Sequence, residues 1–77
     1  MHKLPVVSGA ELIKYLHKSR EFVTTRVRGS HAILKCPAGK TVSVPLHREL
    51  DRGTLSGILS RAEISVDEFI EEWERYN

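Results

Sequence analysis

Apolar positions recur at helical spacing near both ends of the chain and alternate in between. Leu12, Ile13 and Leu16 share one face of a helix predicted from about Gly9 to about Lys18. Its start is a capping box, Ser8-Gly9-Ala10-Glu11, in which the serine hydroxyl accepts from the Glu11 N–H and the glutamate reaches back to the Ser8 N–H. Val7 and Leu12 have the spacing of a hydrophobic staple around it. Ser65-Val66-Asp67-Glu68 repeats the box, with Ile64 and Phe69 as staple. Phe69, Ile70, Trp73 and Tyr76 then mark the buried face of a last helix, and Glu71, Glu72 and Glu74 fall largely on its solvated side.

Between these helices the period drops to that of strands. Phe22 to Val27 is rich in Val and Thr, Arg28-Gly29-Ser30 reads as a turn, and His31 to Cys36 as a second strand. Pro37-Ala38-Gly39-Lys40 is a hairpin turn leading into a third strand, Thr41 to Val44, which Pro45 ends for want of a ladder donor. Leu46 to Arg52 reads as a polar connection, after which Thr54 can cap a short helix carrying Leu55, Ile58 and Leu59 and ending near Ala62. Gly57 weakens that helix by about 1 kcal/mol relative to alanine unless close packing requires it. The order α-β-β-β-α-α with short links predicts an α+β fold, an antiparallel three-stranded sheet with helices packed on one face.

Length and charge narrow the picture. The 77 residues suit a single domain over 1–77 with a thin core. No apolar run approaches the roughly 18 residues that cross a membrane, and Met1 to Pro5 lacks the marks of a secretory signal. A lone cysteine, Cys36, excludes an internal disulfide and fits a cytoplasmic protein. The net charge of +2 is unevenly spread: residues 1–61 hold 11 Lys and Arg against 4 Asp and Glu, and residues 62–77 hold 1 against 6. A basic body suggests an anionic partner, while the acidic end fits a helix with a solvated face.

The four histidines and Cys36 show no metal-ligand spacing, and neither a P-loop nor a dinucleotide fingerprint is present. Cys36, at the end of an apolar strand, reads as a packed thiol. The dense segment is Arg26-Val27-Arg28-Gly29-Ser30-His31. Arginine offers phosphate a planar fork of donors, Gly29 permits a tight turn, and an imidazole can take and return a proton near neutral pH. These are the parts that cut RNA without a metal, although a phosphate-binding or purely structural hairpin has the same composition. His47, just past the third strand, could be a second proton carrier, but an exposed loop histidine is the simpler reading. His17 near the end of the first helix complements its dipole, and His2 lies in a terminal segment.

Taken in order, Arg28-Gly29-Ser30-His31, Pro37-Ala38-Gly39-Lys40, Val44-Pro45-Leu46-His47 and Arg52-Gly53-Thr54-Leu55 through Ile58-Leu59 resemble the HicA (YcfA-like) toxins. Lys3-Leu4-Pro5, Ser8-Gly9 with Leu12-Ile13, and Ile64 to Phe69 fit the same pattern, so the resemblance covers nearly the whole chain. It implies a fold like that of double-stranded-RNA-binding domains and an mRNA interferase of a type II toxin–antitoxin module. It also implies a HicB antitoxin as partner, with DNA met only through that partner. The family's catalytic histidine maps onto His31. Arg26, Arg28, Gly29, Ser30 and Lys35 are then candidates for holding RNA phosphate, Lys35 because alternation puts it on the His31 side of its strand. No cofactor or metal is implied. Two positions depart from the family pattern: Glu21 stands where a glycine is usual, and Ala38-Gly39 where Asp-Gly is usual.

Two further readings compete with a nuclease: a non-catalytic RNA-binding module, and a protein-interaction domain whose basic body serves an acidic partner. The single basic residue at Arg52-Gly53-Thr54 and the acidic last helix both argue against gripping a long duplex.

Overall fold

The computed structural model describes residues 4–76, so His2 and Lys3 lie outside the described residues. The elements are α1 (Gly9–Arg20), β1 (Val23–Arg28), β2 (His31–Lys35), β3 (Thr41–Pro45), α2 (Arg52–Arg61) and α3 (Val66–Tyr76). The strands form one antiparallel sheet in the order β1-β2-β3. Ala32, Leu34, Val42 and Val44 are buried toward the helices, and the alternate residues His31, Lys35, Thr41 and Ser43 are exposed. The sheet therefore has one covered and one open face, as the sequence predicts.

Both capping boxes form. Ser8 N–H donates to Glu11 Oε1 (2.9 Å) and Glu11 N–H to Ser8 Oγ (3.0 Å); the Ser65–Glu68 pair repeats this at 2.9 and 3.1 Å. The staple residues Val7, Leu12, Ile64 and Phe69 are all buried. The start of α2 differs from expectation. Asp51, not Thr54, is its N-cap, accepting from the Thr54 N–H (2.8 Å) and hydroxyl (3.1 Å). Nor is the segment before it wholly polar: Leu50 is buried and its N–H donates to the Val7 carbonyl (2.8 Å). Pro45 does not stop β3 but is its last residue, opposite His31; an edge strand can spare that donor. Gly57 is exposed with open space where a Cβ would stand, so packing does not require it.

Hydrogen bonds from the cap backbone N–H groups hold the carboxylates of Asp51 and Glu68 below their ordinary pKa. A depressed folded-state pKa adds stability above the ordinary carboxylate pKa, and this is lost as pH falls through the folded value. Thermal melts should therefore show stability declining below about pH 4. The double variant Asp51→Asn, Glu68→Gln should show a shallower decline.

Helix α1 runs two residues beyond the predicted Lys18 and ends where Glu21 adopts the left-handed conformation, φ 60° and ψ 27°. That is the backbone for which glycine is the ordinary choice. Glu21→Gly should raise stability by about 1 kcal/mol, read from chemical denaturation, and an unchanged or lower stability would show that Glu21 is not strained there.

Helix α3 packs against α1 around Tyr15, whose ring lies 4.9 Å from Phe69, 5.9 Å from Trp73 and 6.0 Å from Tyr76. The buried phenol donates to Glu72 (2.8 Å), and Arg20 pairs with the same carboxylate (3.0 Å) and with Glu68 (3.6 Å). Burial first, and then the Glu72 carboxylate, push the Tyr15 phenol pKa up. Glu72 thus departs from the expected solvated face: it is half-buried and joins two helices. The stripe itself is as predicted, with Phe69 and Trp73 buried and Ile70 and Tyr76 packed at its margin.

Candidate functional site

The site is organised by the β1–β2 hairpin. Its loop is the two residues Gly29-Ser30, with Gly29 at φ 59° and Ser30 outside the positive-φ region, the pattern of a type II′ turn. Arg28 and His31 flank the loop as opposed residues, so their side chains project from the same face with Cα atoms about 5 Å apart. Arg26 pairs with Ile33 and falls on that face too. The whole of β1 is exposed, the open face around His31 is uncovered, and among the described residues no carboxylate pairs with Arg26, Arg28 or Lys35.

A bulge makes this placement compatible with the core. Phe22, Thr24, Arg26 and Arg28 have the same parity, so a regular strand would send Phe22 out with the arginines. The register instead shifts between Thr24 and Arg26, leaving Thr25 unpaired with its hydroxyl donating to the Ile33 carbonyl (3.1 Å). Phe22 is buried, Thr24 lies opposite Leu34 on the covered side, and Arg26 and Arg28 face out.

Lys35 shares the open face but sits four residues along β2 from His31, about 13 Å away. It suits a neighbouring phosphate rather than the one His31 would touch. Gly29 and Ser30 are exposed at the hairpin tip, and the Ser30 carbonyl accepts from the Leu46 N–H (2.6 Å), tying the tip to the end of β3. The residue that the sequence reading set aside is His47. It is exposed, but its ring centre lies 6.4 Å from that of His31, with 66° between the planes. Cys36 and Lys40 close the turn around Pro37–Gly39, and counting outward from that pair places Pro45 opposite His31 and His47 two residues beyond.

Other candidates stand apart. His17 Nδ1 lies 2.9 Å from the Phe22 carbonyl oxygen and serves the end of α1. Cys36 packs at the margin of the core. No three of His, Cys, Asp and Glu converge as a metal set would among the described residues, and no helix among them is long and apolar enough to cross a membrane.

A helix, a three-stranded antiparallel sheet and a second helix define an αβββα domain whose open sheet face carries basic side chains around a histidine. A family model described as HicA toxin of bacterial toxin-antitoxin matches residues 9–64, from the first residue of α1 to just before α3. The chain belongs to the HicA toxin family and is thus a toxin-class component of a toxin–antitoxin system. No curated protein matches it.

Proposed function

We propose that this toxin is a metal-independent endoribonuclease that cleaves mRNA in the cytoplasm through His31 and is neutralised by a HicB-type antitoxin. Cleavage proceeds by attack of a ribose 2′-oxygen on the adjacent phosphorus. The O2′–P bond forms, the P–O5′ bond breaks, and the products are a 2′,3′-cyclic phosphate and a free 5′-hydroxyl. His31 carries one of the two protons, and Arg28 and Arg26 balance the charge gathering on the phosphate oxygens. Gly29 and Ser30 let the hairpin tip approach the RNA backbone, and Lys35 holds a flanking phosphate. The observation that carries this reading is the projection of His31 and Arg28 from opposed positions on the open face of a HicA family chain.

The test is incubation of the purified chain with mRNA in excess EDTA. Fragments ending in 2′,3′-cyclic phosphate are expected. Binding without cleavage would point instead to an RNA-binding module. The antitoxin, for its part, should present carboxylates to Arg26, Arg28 and Lys35 in place of phosphates. Its association rate should fall steeply with added salt in stopped-flow measurements, and a salt-independent rate would exclude this steering.

A further inference from the structure

We propose that His47 is the second proton-transfer group of the same site, forming with His31 an acid–base pair that spans one phosphodiester; this rests on the ribonuclease reading above. In-line cleavage needs two protons moved at opposite ends of the reacting bonds. A neutral imidazole takes the proton of the 2′-hydroxyl as the O2′–P bond forms. A protonated imidazole gives its proton to O5′ as the P–O5′ bond breaks. The pair ends with its charges exchanged, so atoms and charge balance without another reactant.

The geometry fits this division. The two ring centres are 6.4 Å apart. Hydrogen bonds of about 2.8 Å from a nitrogen of each ring can then converge on two oxygens of a single phosphate seated above the gap between the rings. Both rings are exposed, and neither hydrogen-bonds another side chain or the backbone among the described residues, so both are free to engage a ligand. His47 is not a loose loop residue. Its carbonyl accepts from the Gly9 N–H (2.9 Å), and the preceding Leu46 N–H donates to Ser30 beside His31. At Gly9 any Cβ would run into the Pro45 carbonyl oxygen, so the start of α1 and the Pro45–His47 backbone fit only without a side chain. The charged groups around the pair are Arg28 opposite His31, Arg48 next to His47, and Asp51, whose carboxylate feels the His47 charge.

The test compares wild type with His47→Gln, an exposed substitution whose folding is checked by its melting temperature. Cleavage of RNA should fall about a hundredfold in the variant, and the bell-shaped dependence of rate on pH should lose one limb. A substrate with a good leaving group, a uridine 3′-phosphate nitrophenyl ester, should recover most of the rate if His47 is the acid and none if it is the base. An independent probe is inorganic phosphate followed by the imidazole NMR signals. Both rings should respond together in the wild type, and a response confined to His31 would overturn the pair. A variant that cleaves as fast as wild type with both limbs intact also overturns it while leaving the ribonuclease reading in place. A wild type that cleaves nothing overturns both.

Discussion

Replacing His31 by glutamine should slow RNA cleavage by about 10² to 10⁴-fold, the usual contribution of a positioned proton carrier. Glutamine retains the bulk and a hydrogen bond but cannot exchange a proton near neutral pH. His31 is exposed and on the open side of β2, so the substitution should change stability by no more than about 0.5 kcal/mol. RNA affinity should also be little altered, because the positive charge of the face comes from Arg26, Arg28 and Lys35. The discriminating measurement is therefore single-turnover cleavage alongside equilibrium binding. A large fall in rate at constant affinity is expected; equal falls in both would make His31 a binding residue only, and an unchanged rate would sink its catalytic role.

The second large effect is structural. Gly9→Ala should cost about 2–3 kcal/mol, because the new methyl group meets backbone rather than a side chain that could swing away. In a domain this size that is a fall of roughly 10 °C or more in melting temperature. Gly9 is buried, and its N–H holds the His47 carbonyl, so relief of the clash must move either the start of α1 or the loop that carries His47. Calorimetry measures the first consequence. Loss of proton–proton cross-peaks between the two imidazoles would register the second. A variant with wild-type stability would show that this junction is looser than its packing indicates.

The helix starts were readable because each is written locally: a serine, a glutamate three residues on, and an apolar pair around them. The start of α2 was harder. Asp51 and Thr54 can both cap, and only the fold shows that the aspartate receives the threonine's N–H and hydroxyl. The pairing of Glu72 with Tyr15 and Arg20 could not be read from its own helix, where it lies off the apolar stripe. Its partners come from a segment more than fifty residues away. At the site, alternation alone placed Lys35 with His31, but strand counting gives a face and not a reach, and the two lie far apart along β2. His47 is the exposed loop residue that the sequence predicts, but its neighbour could not be read from the chain. Its loop position suggested freedom, whereas the β2–β3 register brings it back to the hairpin tip.

The bulge at Thr25 bears on how this hairpin can vary in length. Removing that one residue would leave a regular strand in which Phe22 still faces the core and Arg26, Arg28 and His31 still face out. A gain or loss of one residue between the bulge and His31 has no such compensation, because nothing downstream resets the alternation before the turn. The strand is thus divided at Thr25 into a part anchored by the core and a part anchored by the turn, and a residue dropped at their junction turns over neither Phe22 nor the arginines.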